Sequence, residues 1–495
     1  MRTLLSGLLS GLSLLLLVAL PATAATPDLS AMTPPAVAAL TRAFPKGGEL
    51  HLHMGGAIYG ESWLKWAAED GLCVDVAALA LVQPPCTGAK TPAAEAIANL
   101  ETYHALLDSS SVRHPGFRDR SGHDQFFTSF GRFAAVRTRD GDALAEVMER
   151  AAAQNTFYLE LMAFGPPAGL RPLAERAPGT TGDFAGLKAA LTAAGLEALT
   201  AEVTTRTDAM EARARAVMGC GGPAARPGCQ VTVRYLSYAQ RNAEPKFTFA
   251  QVQLGVATTR ADKRWVGVQI VTPEDDPIAV ANYALVARIF DFLTEHGKAA
   301  NPSLHAGELT LALATPEALR DHVAQAVRVS GAKRIGHGTD IAGEDGAEAL
   351  AREMAAAKVL VEVNLSSNAA ILEVKGADHP YGWLRARGVP VSLSTDDPGI
   401  SRTDLSAEYA LAVRQGADYA ALKTSARNAI AFSFLAGEGL WLYPDSYRAP
   451  APACRGQIGR AEPKGACAAL IAGSDKAREQ WRHEALLATF EAALP

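Results

Sequence analysis

Short runs of alternating apolar and polar residues recur along the chain, each followed by a stretch with helical periodicity. Glu49-Leu50-His51-Leu52-His53 alternates in this way and runs into Met54-Gly55-Gly56, which predicts a strand ending in a glycine turn. Seven further runs read as strands: 157–162, 231–236, 266–271, 302–305, 334–337, 359–363 and 389–394. Helical patterns lie between them, among them 125–155, 186–217, 277–295, 316–329 and 346–357. Strand and helix alternating eight times predicts an α/β fold, a parallel (β/α)8 TIM barrel. The span 71–123 is too long for a plain crossover and reads as an insertion after the first strand, lying over the barrel mouth. Phe126, Phe127, Phe130 and Phe133 give the following helix an apolar side suited to the core, and Trp63, Trp66 and Tyr103 also read as packing residues. After the last strand come a helix over 419–434, a Pro/Gly-rich loop and a helix near 476–493.

In such a barrel the C-terminal ends of the strands line the site. Here those ends carry His51 and His53, then His305, His337, Asp396 and Asp397, although the chain has only 11 histidines. Residues i and i+2 share a strand face, so His51 and His53 project together, as two nitrogen ligands of a tetrahedral zinc site would. Taken singly, His305 reads equally well as a buried structural histidine, and Asp396-Asp397 as a pair capping the next helix. Their joint placement favours chemistry.

Composition is that of a large globular chain: 495 residues, 48% hydrophobic and 20% charged. A net charge of −5 without a basic run argues against nucleic acid and points to a small-molecule partner. Arg2, the apolar stretch Leu14–Leu20 and Ala22-Thr23-Ala24 read as a cleaved signal peptide over 1–24. That implies a secreted or periplasmic protein with no stable membrane association after cleavage; no other stretch is expected to span a bilayer. The six cysteines fall as three local couples, Cys73 with Cys86, Cys220 with Cys229 and Cys454 with Cys467. Fifteen pairings are possible, and short bridges pinning loops are the simplest. The expected organisation is an arm over 25–44 (loose or one short helix), the barrel over 45–435 and a cysteine loop with helix over 436–495.

The segments Pro45–His53, His305-Ala306-Gly307-Glu308, Arg334-Ile335-Gly336-His337-Gly338 and Ser394-Thr395-Asp396-Asp397-Pro398 resemble the adenosine deaminase family, in consistent order from Pro45 to Leu435. The signal peptide, the cysteine-bearing insertion and Tyr158-Leu159-Glu160 are similar to its secreted branch, the adenosine deaminase-related growth factors. The oligomeric state stays open, because that branch's dimerising extension has little counterpart before Pro45. The resemblance implies one zinc held by His51, His53, His305 and Asp396, with hydroxide generated there attacking C6 of adenosine or 2′-deoxyadenosine to give inosine and ammonia. It implies that Glu308 protonates N1, that His337 holds or deprotonates the attacking water, and that Asp397 contacts N7. Glu362 also matches the family and reads as a partner of a ligand; Asn368 reads as a loop-shaping residue; Arg241 and Asn242 have no assignment.

Four positions in three motifs depart from the family pattern. Gly55 stands where an aspartate usually touches the ribose, Gln269 and Thr272 replace an aspartate and a purine-contacting glycine, and Asn364 replaces a cysteine. Thr272 retains the backbone N–H, and Glu160 is a substitute candidate for holding the sugar. Substrate therefore remains open between adenosine, adenine and an N6-substituted purine. A non-enzymatic extracellular binding protein is the alternative of another class, which predicts lost ligands or a lost acid.

Overall fold

The computed structural model describes residues 26–113, 120–136, 138–444 and 446–494. The expected signal peptide over 1–24 lies outside the described residues. The arm holds one ten-residue helix, Pro34–Ala43, opened by proline at its first turn.

The first strand, β1 (Gly47–His53), is followed by three short strands, β2 (Cys73–Asp75), β3 (Ala80–Val82) and β4 (Lys90–Pro92). These three pair antiparallel in the order β3-β2-β4, a small sheet inside the insertion that its mixed composition did not predict. From the insertion, Val112 N–H bonds Ile400 O at 3.0 Å, and the Gly122–Phe133 helix that follows it packs on the Leu365–Ile371 helix.

The remaining strands are β5 (Thr156–Met162), β6 (Thr232–Gln240), β7 (Trp265–Val271), β8 (Ser303–Ala306), β9 (Arg334–His337), β10 (Leu360–Val363) and β11 (Val391–Leu393). They form two four-stranded parallel sheets, β1-β5-β6-β7 and β11-β10-β9-β8. The expected closed barrel is thus present as two half-sheets. At the seams only single parallel bridges join them, Leu52 to Asp396 and Val268 to Pro302. Helices cover the strands, and the apolar core lies between the two layers, with Leu304, Ile335, Val361 and Leu393 meeting Phe249, Ile289, Leu350 and Leu422.

Several helices differ from expectation for local reasons. The 186–217 pattern breaks at Gly195, which takes φ +94° and separates Phe184–Ala193 from Leu199–Val217. The 125–155 pattern divides into Gly122–Phe133, capped by Ser121, and Asp140–Ala153, with Asp140 and Asp142 in its first turn. The 316–329 pattern begins only at His322, because Glu344 caps it from another loop by accepting from the N–H groups of Val323 and Ala324. The helix Pro277–Thr294 is long and apolar enough to cross a bilayer by composition, contrary to expectation. Here Val286, Ile289, Phe290 and Leu293 are buried in the core. Phe126, Phe133, Trp63 and Trp66 are core residues as expected, while Phe127, Phe130 and Tyr103 are partly buried against the same cluster.

Candidate active site

The site forms where the β1–β11 seam meets the ends of β8 and β9. Asp396 has φ +63°, a left-handed turn that aspartate tolerates. Its backbone completes the seam, accepting from His53 N–H at 3.0 Å and donating to His51 O at 3.2 Å. The irregular seam therefore brings a carboxylate onto a pair of histidines.

The donor atoms converge. His51 Nε2 and His53 Nε2 each lie 3.2 Å from Asp396 Oδ1, and His53 Nε2 lies 3.2 Å from His305 Nε2. Ligands about 2.0–2.1 Å from a tetrahedral metal stand roughly 3.3 Å apart. The spacing fits a tetrahedral cation, and all four groups have small or no exposure, His53 at 17% being the most open. His337 is a fifth neighbour: ligand atoms of His51, His305, His337 and Asp396 all lie within 4.8 Å of one another. Its Nε2 faces the other oxygen of Asp396, Oδ2, at 3.9 Å.

Partners behind the donors orient them. Glu362 Oε2 accepts from His51 Nδ1 at 2.7 Å, which leaves the Nε2 lone pair facing the cluster. Ser303 Oγ and Arg334 Nε bond the other oxygen of Glu362 at 2.8 and 2.6 Å. Ser367 Oγ donates to Asp396 Oδ2 at 2.7 Å, a brace invisible in a serine-rich loop sequence. The sequence also gave no role to Arg241. It donates to His305 O at 2.8 Å and pairs with Glu274 at 3.2 Å. Glu274 in turn accepts from the N–H groups of Gly307 and Glu308 and from His322, so it fixes the turn that carries Glu308.

Two carboxyls remain without full partners. Glu308 Oε1 and Asp397 Oδ1 are buried and make no hydrogen bond among the described residues. Burial, then the nearby charge of Asp396, pushes both carboxyls well above the usual range, toward the neutral acid. Asp396 itself is held low by its histidine partners despite its burial. Gly56 makes the fit possible, since a Cβ there would overlap Asp397 Oδ1 at 1.6 Å.

The expected substrate contacts fare differently. Thr272, just past β7, holds φ +80°, rare for a β-branched residue. Its hydroxyl donates to Val271 O and lies 3.4 Å from Asn242 N–H. Gly55 is half-buried in the short helix Met54–Ala57 just past β1, and a Cβ there would meet nothing within 4 Å. Glu160 is not free to hold a sugar. Its carboxylate is fully buried, accepts from Tyr158 Oη at 2.7 Å and Phe434 N–H at 2.6 Å, and pairs with Arg334 at 2.6 Å. The match to the secreted branch makes Glu160 a candidate for the sugar, but Arg334 of β9 and the segment after the Tyr419–Ala431 helix hold its carboxylate.

Comparison with known proteins places this arrangement. The family model described as adenosine deaminase matches residues 191–439, just over half of the chain. The chain belongs to the adenosine deaminase family. Among curated relatives, the aminodeoxyfutalosine deaminase of Streptomyces coelicolor is 38% identical over 137 residues, which is 27% of this chain and 33% of that protein. The adenosine deaminase of Serratia proteamaculans is 36% identical over 135 residues, 27% of this chain and 37% of that one. The matched region spans about a third of the length of these relatives. In fold, the chain is similar to the Arabidopsis N6-mAMP deaminase (TM-score 0.52, 20% identity, 80% of this chain and 94% of that one). It is similar also to the adenine deaminase of Arthrobacter aurescens (TM-score 0.51, 19% identity, 79% and 94%).

Outside the site, Cys73–Cys86, Cys220–Cys229 and Cys454–Cys467 form three disulfides, with Cα–Cα distances of 5.4, 5.6 and 4.7 Å. This is the local pairing expected.

Proposed function

We propose that this chain is a zinc-dependent aminohydrolase that converts adenosine or 2′-deoxyadenosine to inosine and ammonia. The observation that carries the reading is the convergence of His51, His53, His305 and Asp396, linked by separations of 3.2 Å, beside two buried carboxyls that each keep an unpartnered oxygen. Family membership and curated relatives that are themselves deaminases support it. The two half-sheets are read as halves of one (β/α)8 barrel over 45–435, with the insertion over its mouth.

Zinc in this donor set supplies Lewis-acid activation of water at neutral pH. The protein's own groups do the rest. Glu308, kept neutral by burial, delivers a proton to N1 of the purine, which makes C6 electrophilic. Asp397, packed against Gly56, would contact N7. His337 orients the attacking water. Arg241 and Glu274 keep Glu308 aimed by holding its backbone.

A second substrate reading rests on two observations: Gly55 leaves open space where a carboxylate would meet ribose, and Glu160 is consumed by Arg334 and Phe434. These favour a purine recognised mainly through its base, such as adenine or an N6-substituted purine. Ammonia release from a panel of adenosine, 2′-deoxyadenosine, adenine and N6-methyladenosine, with methylamine measured for the last, decides between them. Adenosine turned over with the highest kcat/KM is the expected result; adenine equal or higher promotes the second reading, and no release from any purine defeats both. The three disulfides, and the resemblance to the secreted branch, support export to an oxidising compartment.

A further inference from the structure

The proton on His337 can be traced from a backbone amide. Tyr381 N–H lies 3.1 Å from His379 Nδ1, and a backbone N–H can only donate, so that ring nitrogen is the acceptor. Burial lowers the His379 pKa to about 4, which keeps the ring neutral with its proton on Nε2. Nε2 therefore donates to Asn368 Oδ1 at 3.1 Å. This settles the Asn368 amide, because the flipped orientation would set its NH2 against another N–H. Asn368 Nδ2 then donates to His337 Nδ1 at 2.9 Å. Asn364 Nδ2, at the position where the family pattern has a cysteine, lies 3.4 Å from the same nitrogen. Glu308 Oε1 lies 3.4 Å from it as well, without a hydrogen bond. His337, Asn364, Asn368 and His379 are all buried, so water does not compete along the chain.

We propose that Asn368 and His379 are positioning residues that hold His337 as its Nε2–H tautomer, with that N–H turned into the site as a hydrogen-bond donor. His337 Nε2 is buried without a hydrogen-bond partner and stands 3.9 Å from Asp396 Oδ2. Its backbone φ of +68° is uncommon for a residue with a side chain. Two consequences follow. A nitrogen that bears a proton offers no lone pair, so His337 is not a metal ligand, and the tetrahedral set is His51, His53, His305 and Asp396. For the same reason His337 does not take a proton from the attacking water; it donates to the water oxygen and aims a lone pair at C6.

The inference rests on the zinc aminohydrolase reading, but its primary test does not need turnover. Ring-nitrogen NMR of the zinc-loaded chain labelled with 15N-histidine, with His337 assigned by the loss of its signals in His337→Asn, reads the tautomer directly. The expected spectrum has a protonated Nε2 and a bare Nδ1. Asn368→Asp puts a carboxylate, which can only accept, against Nδ1, so the proton should move to Nδ1. With the tautomer wrong, kcat should fall about 10²–10⁴-fold while KM changes by less than about threefold. His379→Gln keeps an amide donor at the place of Nε2 and should retain the tautomer, whereas His379→Leu should blur it. Nδ1 protonation in the unmodified chain, or an unchanged tautomer in Asn368→Asp, overturns the proposal. If Asn368→Asp does not fold, the unmodified spectrum and the His379 pair decide. If no purine is deaminated, the functional reading fails while the tautomer is still judged by the spectrum.

Discussion

His53 is the most exposed of the four proposed ligands. Its removal separates the two ligand sets that the geometry allows. His53→Ala should lose most of the zinc, because three ligands in this arrangement bind poorly; elemental analysis showing about one zinc per chain in that variant would transfer its place to His337. Glu308→Gln tests the acid separately. It keeps shape and hydrogen bonding but carries no proton to deliver, so turnover should drop by about 10²–10⁴-fold with zinc still bound. Full activity with full occupancy would remove Glu308 from the reaction. Gly55 offers a gain instead of a loss. A carboxylate grown into its empty neighbourhood could accept from a ribose hydroxyl, a contact worth about 1.5–3 kcal/mol. Gly55→Asp should therefore lower KM for adenosine by about 10–100-fold while KM for adenine stays within a few-fold. An equal change for both, or none, means that the sugar lies elsewhere.

At the scale of elements, the strand ends were legible and the floor beneath them was not. Period-2 alternation found all eight parallel strands, seven to within two residues and the eighth, Thr232–Gln240, ending four residues beyond its expected end, and a histidine or aspartate at the end of an apolar run marked the site. Such signals are local. The floor is made of ion pairs between distant segments, which leave no pattern in sequence. Arg334, 1% exposed, bridges Glu160 and Glu362 at 2.6 Å each and donates to Phe432 O at 3.0 Å, with the Phe434 ring 3.8 Å away. Lys476, from the C-terminal helix Asp475–Ala492, holds the same turn by donating to Ala431 O and Ser433 O. Glu160 is a candidate for the sugar through its place at a strand end and its match to the secreted branch; its pairing with Arg334, a residue far away in sequence, makes it an anchor. Through Glu362 this anchor reaches His51. Removing such a support typically weakens metal binding 10–100-fold. Arg334→Met should thus weaken zinc affinity by about that factor in chelator competition, and the loss should largely vanish when Glu362→Gln is already present. Additive losses in the double variant would make Arg334 a scaffold residue with no route to the metal.

The whole molecule carries an unusual load of buried ionisable groups, and this has a consequence for stability. Glu49, Glu344 and Glu408 are each pushed up to about 7, chiefly by burial. Glu408 is the cleanest case, since its oxygens accept from Ser366 N–H at 3.1 Å and Thr403 Oγ1 at 2.8 Å, and neither partner is a proposed ligand. With its folded pKa near 7 and an unfolded value near 4.5, the folded chain holds the proton more tightly between those values. Stability from this group is fully present below about pH 4.5 and is lost as pH rises to about 7, beyond which the loss is constant. Glu274 acts in the opposite direction. Arg241 and His322 hold its carboxylate at about 2 against its burial, so its contribution is present above about 4.5 and disappears as pH falls toward 2. The two limbs place the best stability on the mildly acidic side, unlike a protein whose carboxylates are all salt-bridged. Glu408→Gln keeps both hydrogen bonds without a charge to bury. Urea midpoints measured from pH 4.5 to 8 should fall less steeply in this variant than in the unmodified chain, the two agreeing near pH 4.5 and separating by up to ~3 kcal/mol above pH 7. Parallel curves across that window would mean that Glu408 ionises in the fold as readily as in water, with the surrounding helix ends relaxing to solvate it.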